Sequence, residues 1–267
     1  MSKKIIFTAG GTGGHIFPAI NLMKNFSEKG YKVLLVTDSR GEIFIKNYSE
    51  LKSYTIKTST LTNKNLIQKI SSIFIILHSM LKAAFILKKE KPNLVFGFGG
   101  YASFPISFIS KFFNIPLAIY ENNTILGRAN KYLAMFSKRI FISRKITDKH
   151  FQKYKKKILE VGPLLNKEII NHKENKKNKD IFSILVIGGS QGAKIFGDVV
   201  PDVIKNLNDE VEKIKIYQQC IKDQQKKISN FYEKNNIKNY VFNFDKNIPE
   251  LMFSSDIAIT RCGASST

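Results

Sequence analysis

Two short apolar runs in this chain each lead directly into a glycine-rich turn and then into a helical pattern. Lys4–Thr8 is followed by Gly10-Gly11-Thr12-Gly13-Gly14-His15, and Ser183–Ile187 is followed by Gly188-Gly189-Ser190-Gln191-Gly192-Ala193. A strand that enters a helix through such a turn is typical of βα units around a parallel sheet. Because the pattern occurs once in each half, the sequence predicts an α/β protein with two Rossmann-like domains.

Further apolar, β-branched runs complete the two predicted sheets. They are Lys32–Val36, Leu94–Gly97, Leu117–Tyr120 and Arg139–Ile142 in the first half, and Lys215–Gln218, Tyr240–Phe242 and Asp256–Thr260 in the second. We expect the domain boundary near Gly162-Pro163, which gives residues 1–162 and 163–267, and we expect a solvated helix end and linker over the Lys/Asn-rich residues 166–180. After the last strand a glycine turn opens without a following helix, so the second domain is expected to be incomplete.

The charge balance is the unusual part of the composition. Lysine and arginine number 43 against 21 acidic residues, a formal net charge of +22. Such an excess favours an anionic partner, or it reflects compositional drift on solvated surfaces. The sequence lacks the pattern of interleaved basic and aromatic residues that is typical of nucleic-acid-binding modules, so we expect no nucleic-acid partner. Cys220 and Cys262 lack metal-ligand spacing and favour a reducing cytosol over a disulfide framework.

The longest apolar segment runs from residue 70 to residue 87. Polar residues interrupt it, and a spanning helix needs about 20 mostly apolar residues, so we expect it not to span a membrane. We expect most of its apolar side chains to lie in the core. A few exposed ones, extended by Phe108, Phe112 and Phe113 beside Lys111, would form an apolar surface with a basic rim that touches anionic lipid.

The first glycine turn does not fit the common nucleotide motifs. Glycine permits positive φ and close approach of a ligand, and free amides at a helix start attract phosphate. Ile16 stands where a dinucleotide fingerprint needs its third glycine, and no Gly-Lys-Ser/Thr of a P-loop follows. We expect the helix to begin near Phe17-Pro18, where proline suits a first turn. Two anion-friendly turns, one in each half, predict a diphosphate-bearing substrate.

Two further motifs follow strands of the first half, Gly97-Phe98-Gly99-Gly100-Tyr101 and Tyr120-Glu121-Asn122-Asn123. A carboxylate and an amide at such a sheet edge suit a hydroxyl-rich ligand, and a capping or turn role for Asn122-Asn123 is the alternative. The sequence has no Asp-x-Asp and no cluster with metal-ligand spacing, so we expect neither metal nor cofactor, with the diphosphate held by amides and side chains.

Taken together, GGTGGHIFPA, GFGGYASFP, YENN, GGSQGA and RCGASST resemble one family over the whole chain and in the right order. It is the UDP-N-acetylglucosamine:undecaprenyl-diphospho-muramoylpeptide N-acetylglucosaminyltransferases, which convert lipid I to lipid II in peptidoglycan synthesis. The resemblance implies a GT-B fold, with parallel sheets facing a cleft, a first domain for acceptor and membrane, and a second for the UDP-sugar. It implies inverting transfer from UDP-N-acetylglucosamine to the muramyl 4-hydroxyl of lipid I, and peripheral attachment to the anionic cytoplasmic face of the bacterial inner membrane.

The same resemblance assigns site residues. His15 matches the loop histidine proposed as the base, with an anchor for the loop or for a sugar hydroxyl as the alternative. The backbone at Asp245 aligns where the family holds uracil. The other matching positions are Thr12, Gly13, Gly14, Tyr101, Asn123, Ser190, Gln191 and Ala264.

The chain departs from the family pattern in two places. The family's Gly-Asn-Pro-x-Arg at the domain junction is replaced by residues 161–165, where Leu165 stands in place of an arginine that reaches the donor. Lys167 offers a positive charge there but cannot form the two parallel hydrogen bonds of an arginine side chain. The family's ribose-binding glutamate is expected just beyond Thr267.

The residues alone leave other functions open. Another GT-B UDP-sugar transferase or a UDP-sugar epimerase would use the same fold. An inactive fragment or acceptor-binding remnant would keep the first domain and lose donor affinity. A nicotinamide oxidoreductase is supported by Asp38 at the end of the second strand and disfavoured by the failed fingerprint.

Overall fold

The computed structural model describes residues 3–46, 48, 50–60, 65–145, 149–170, 181–189, 192–211, 213–245, 247–261 and 263. The chain divides into two compact units, Met1–Asn166 and Lys167–Thr267. The strands of the first unit are β1 Lys4–Thr8, β2 Lys32–Thr37, β3 Ser53–Thr55, β4 Leu94–Gly97, β5 Leu117–Glu121, β6 Arg139–Ile142 and β7 Ile158–Glu160. Its helices are α1 Gly13–Glu28, α2 Ser39–Ile45, α3 Leu66–Glu90, α4 Ser103–Ser110 and α5 Arg128–Leu133, with 3-10 segments at Lys111–Phe113 and Lys149–Lys157.

The second unit follows the same alternation of strands and helices. Its helices are α6 Lys167–Ile170, α7 Lys194–Glu210, α8 Gln225–Lys234 and α9 Ile248–Phe253, with a 3-10 segment at Lys222–Gln224. Its strands are β8 Phe182–Ile187, β9 Ile214–Gln219, β10 Lys238–Phe242 and β11 Ile257–Thr260. The strands form a parallel sheet in the order β10-β9-β8-β11. The two-domain α/β prediction is thereby confirmed.

The first unit is built on a seven-stranded parallel sheet in the order β3-β2-β1-β4-β5-β6-β7. Alternate residues of β1 point to opposite faces, so that Ile6 packs with α3, α4 and α5 while Ile5 and Phe7 pack with α1 and α2. Because helices cover both faces, the central strands are apolar on both sides over most of their length, and this made them recognisable in the sequence.

Every predicted strand is confirmed, and the largest shift is at β10, which begins at Lys238 rather than Tyr240. Two strands were missed, β3 and β7. Each has three residues and lies at an edge of the first sheet. An edge strand has one pairing neighbour and an exposed side, so it needs no continuous apolar run.

A buried ionic cluster lies at the amino edge of the first sheet. Glu90, 5% exposed, accepts hydrogen bonds from Lys4 Nζ at 2.9 Å, Lys52 Nζ at 2.7 Å and Tyr54 Oη at 2.5 Å. Burial alone would raise the pKa of Glu90, but these three donors outweigh it and lower the pKa to about 2. The stability that the cluster contributes is therefore present above pH 4.5 and is lost as the pH falls towards 2.

Candidate active site

The first helix begins inside the glycine turn. Thr12 has extended backbone angles and precedes Gly13, the first residue of α1. The predicted start near Phe17-Pro18 was wrong, because Gly13 and Gly14 adopt helical angles and Pro18 lies inside the helix. Pro18 has no N–H to donate to the carbonyl four residues earlier. The Gly14 carbonyl, close to the turn, therefore lacks its usual helical hydrogen-bond donor.

The turns after β1 and β4 interlock. The Gly10 amide donates to the Gly99 carbonyl at 3.2 Å. A Cβ on Gly100 would lie 2.2 Å from the Gly10 carbonyl oxygen, and a Cβ on Gly10 would lie 2.4 Å from the Ala102 Cβ. Gly100 also has φ +78°, so the two loops meet at a distance that only glycine permits.

His15 lies in the first turn of α1, half-buried against the second glycine loop. A Cβ on Gly99 would lie 3.1 Å from its Cε1 atom, and the ring makes a hydrogen bond with the backbone of Phe98. Burial lowers the pKa of His15 below 6.5, although the charge of Glu121 and the Phe98 hydrogen bond oppose part of that shift. The imidazole is therefore neutral at pH 7 and able to accept a proton.

Glu121, at the end of β5, organises the loop that follows it. Only 1% exposed, its carboxylate accepts from the Asn123 amide at 3.0 Å, Asn123 Nδ2 at 2.9 Å, the Gly127 amide at 2.9 Å and Asn130 Nδ2 at 3.0 Å. The sequence suggested this carboxylate as a ligand contact, but its oxygens are taken up within the protein. Asn123 is half-buried and donates to Glu121 through its backbone and side-chain amides, an arrangement typical of a turn, and its donor-binding role stays a prediction.

Asn130, on α5, was missed by the sequence analysis. Its Nδ2 also donates to the Tyr120 carbonyl at 3.0 Å and lies 3.4 Å from where a Gly99 Cβ would be. The side chain is completely buried, so it joins the loop after β5 to the glycine loop that contacts His15. An asparagine in a short helix carries no sequence signal of its own.

Asp38, at the end of β2, fixes the first glycine turn from the other side. Burial raises its pKa, but hydrogen bonds from the Gly41 and Gly11 amides and from Arg40 outweigh that effect and keep the pKa below its usual value. Thr58 Oγ1 also donates to it, at 3.3 Å. With these donors in place, Asp38 is not available for the ribose of a nicotinamide cofactor.

The predicted residues of the first unit thus lie along the carboxyl edge of one sheet. Thr12 is exposed, Gly13 is buried and Gly14 is half-buried, and Tyr101 is half-buried directly after the second glycine loop. Within the described ranges no group of three His, Cys, Asp or Glu side chains is placed to hold a metal ion.

In the second unit only part of the predicted site falls on described residues. The Gly188 amide donates to Gln219 Oε1 at 3.0 Å, and the Gly192 amide donates to the Gly189 carbonyl at 2.9 Å. Asp245 lies between β10 and α9, where it accepts from Tyr240 Oη at 2.8 Å and from the Asn247 amide at 2.7 Å. Ser190, Gln191 and Ala264 lie outside the described residues.

The segment that departs from the family pattern, residues 161–165, lies within the first unit and is held there by two hydrogen bonds. Tyr120 Oη donates to the Gly162 carbonyl at 3.2 Å and Asn21 Nδ2 to the Leu164 carbonyl at 3.1 Å. Leu165, which stands in place of the arginine, is 48% exposed.

Comparison with known proteins identifies relatives of this arrangement. The model of the glycosyltransferase family 28 N-terminal domain matches residues 5–142, and that of the family's C-terminal domain matches residues 183–267. A protein of Pelagibacter ubique named UDP-N-acetylglucosamine--N-acetylmuramyl-(pentapeptide) pyrophosphoryl-undecaprenol N-acetylglucosamine transferase is 35% identical over 99% of this chain and 73% of its own length.

Solved structures agree on the fold. The Acinetobacter baumannii MurG structure aligns with a TM-score of 0.67 at 24% identity, covering 99% of this chain and 75% of that one. An S. aureus MnaA–UDP complex aligns with a TM-score of 0.65 at 15% identity, covering 98% and 74%. Because both domain models match in order and a 35% identical relative aligns over nearly the whole chain, the chain belongs to glycosyltransferase family 28.

Proposed function

We propose that this protein is an inverting glycosyltransferase that moves N-acetylglucosamine from UDP-N-acetylglucosamine to the muramyl 4-hydroxyl of undecaprenyl-diphospho-muramoylpeptide, forming lipid II. The observation that carries the proposal is the position of His15 at the carboxyl edge of the sheet, against the two interlocked glycine loops. The substrates follow from the name of the 35% identical relative.

In the proposed reaction the acceptor hydroxyl attacks the anomeric carbon and UDP leaves from the opposite side. His15 takes the proton of the attacking hydroxyl, which suits a half-buried imidazole whose pKa is lowered by desolvation. The first domain, 1–162 by the sequence prediction, is proposed to hold the acceptor, and the second domain, 163–267, the donor. There the amino end of α7, which follows the glycine-rich segment after β8, supports binding of the donor diphosphate.

A transfer assay with a soluble short-chain lipid I analogue and radiolabelled UDP-N-acetylglucosamine tests this function. We expect label in the disaccharide product, and none with the matched 4-deoxy muramyl analogue. Conversion of the UDP-sugar to its epimer without any acceptor would instead support the epimerase alternative. Donor binding without transfer to any acceptor would contradict the proposal.

We also propose that the protein attaches peripherally to an anionic membrane through α3 and the segment after α4. The exposed fractions are 68% at Phe74, 73% at Leu81, 64% at Phe85 and 68% at Phe112. The expectation that most apolar side chains of α3 lie in the core was therefore wrong: one side of the helix packs on the sheet and the other faces outwards. Exposed lysines at 82, 88, 89 and 111 supply the basic rim.

The packing of α3 favours attachment over insertion. By length and composition alone this helix could cross a membrane, and 28% of its most apolar 18-residue stretch is buried inside the protein. However, Ala83, Ile86 and Leu87 belong to the core of the first unit, and Glu90 carries the buried ionic cluster. Insertion would have to break these contacts, whereas lateral contact preserves them.

Changing Phe74 and Leu81 together to serine is expected to lower the partition coefficient for anionic liposomes, measured by flotation, by about 30-fold or more, since each exposed apolar side chain contributes roughly 1–2 kcal/mol when buried in lipid. Ile43→Ser is the matched control, because Ile43 is 63% exposed on α2, which covers the opposite face of the sheet. Equal flotation of both variants would contradict the proposed surface.

A further inference from the structure

A buried carboxylate without a cationic partner lies close to His15. Glu121 is held by amide hydrogens alone, and in the described part of the chain the ion pairs within 4.0 Å involve Glu90 and Asp38 but not Glu121. Removing a charge from water without an opposite charge is costly, even when hydrogen bonds compensate part of the cost. Such a charge acts strongly on its neighbours, because little water screens it.

Asn130 adds a second unusual feature at the same place. Both hydrogen bonds of its Nδ2 are made, to Tyr120 and Glu121, yet its buried Oδ1 atom has no partner among the described residues. A buried acceptor left unpaired costs about 1–3 kcal/mol. Asn130 and His15 both contact Gly99, with Nδ2 of the former 3.4 Å and Nδ1 of the latter 3.2 Å from a Cβ placed there.

We propose that Glu121 and Asn130 are positioning residues for His15: Glu121 holds a negative charge ready for the imidazolium that forms during transfer, and Asn130 fixes that carboxylate beside the glycine loop that contacts the ring. This inference rests on the proposed function. As the acceptor oxygen bonds to the anomeric carbon, its proton passes to the imidazole, and the bond from that carbon to the diphosphate breaks, its electron pair leaving with UDP. The imidazolium then returns its proton to water.

Both residues stabilise the imidazolium during the step in which the ring carries the extra proton. The Glu121 carboxylate attracts its positive charge, and the hydrogen bond from Asn130 Nδ2 holds that carboxylate in place. Neither residue touches the substrate in this scheme, so each acts through His15. Fixed partners of this kind need no reorganisation when the charge appears.

Other ionisable groups surround His15 on the neighbouring elements. Asp38 and Arg40 approach from the β2–α2 side as an ion pair 3.1 Å apart, so their charges compensate. Tyr101 follows the β4 loop and Arg128 starts α5, where it is exposed. Glu121 is the ionisable group whose charge acts on the pKa of His15.

The test is an NMR titration of histidine-labelled protein, with the His15 signals assigned among four histidines by loss in His15→Gln. Glu121→Gln is expected to lower the pKa of His15 by about one unit, because the charge that opposes burial is gone. Glu90→Gln is the matched control, since it removes a buried carboxylate at the opposite edge of the same sheet. An unchanged pKa in Glu121→Gln, or equal shifts in both variants, would overturn the proposal.

Turnover supplies the second readout. In Glu121→Gln the acid limb of the kcat profile is expected to move to lower pH with the pKa of His15, while the plateau falls about tenfold. A purely structural role would lower the plateau and leave the limb in place. Should Glu121→Gln fail to fold, Asn130→Ala replaces it. This variant is expected to lower the pKa of His15 by about half a unit. An unchanged pKa would contradict the proposed positioning of His15 by Glu121 and Asn130.

The two readouts separate this inference from the function on which it rests. If wild-type protein transfers no sugar but the pKa of His15 still falls in Glu121→Gln, the proposed function fails and the electrostatic pairing stands. If transfer occurs and that pKa does not move, the function stands and the pairing is wrong.

Discussion

His15→Ala is expected to lower kcat by about 10²–10⁴-fold, the usual contribution of a general base. The affinity for UDP-N-acetylglucosamine should change little, because the donor is proposed to bind the second unit. In the wild type, the acid limb of the kcat profile should have its midpoint below pH 6.5, since burial lowers the pKa of His15. Rapid-quench measurement of a single turnover would isolate the chemical step.

His15→Gln distinguishes a role of His15 as general base from a role as an anchor for the loop or for a sugar hydroxyl. Glutamine keeps a hydrogen-bonding side chain of similar length but cannot take a proton at neutral pH. We expect it to be as impaired as alanine if His15 is the base. Recovery of most of the activity by glutamine would favour the anchor, which the sequence left as the alternative.

The second large effect is expected from Gly100→Ala. The new methyl group would lie 2.2 Å from the Gly10 carbonyl oxygen, at a residue with φ +78°. One of the two interlocked loops has to move, so we expect a loss of unfolding free energy on the order of 3 kcal/mol or more, measured by urea denaturation. Turnover should also fall, because Gly99 next to it contacts His15.

Gly30→Ala provides the control for that experiment. Gly30 has φ +81°, yet a Cβ there would meet nothing within 4 Å. Its substitution therefore measures only the backbone cost of a left-handed residue, about 1 kcal/mol. Equal losses for the two variants would mean that the loops are not interlocked as described.

The sheets could be predicted because the central strands are buried on both faces and are therefore mostly apolar. The exposure of α3 could not be predicted, since a phenylalanine or leucine such as Phe74 or Leu81 gives the same sequence pattern whether it faces the core or the solvent. The start of α1 was misplaced for a related reason. Glycine has a low helix propensity, yet Gly13 and Gly14 begin the helix.

The candidate site was predicted in part. The glycine spacing and His15 stand out in the sequence because four glycines and a histidine exceed what a simple turn requires. The roles of Glu121 and Asn130 depend on contacts between β5, α5 and the β4 loop, which are distant in sequence. Asp38 looked like a ribose ligand for the same reason, because its donors become visible only after folding.

The occupied carboxylate of Asp38 has a consequence for protein engineering. Restoring the third glycine of the dinucleotide fingerprint would not convert this chain into a nicotinamide enzyme, since the acid that would bind the ribose already accepts the Gly11 and Gly41 amides. A designer would have to supply new partners for both amides before releasing that acid. Cofactor specificity is thus blocked here by a side chain already in use, so mutational libraries confined to the glycine turn should yield no dehydrogenase.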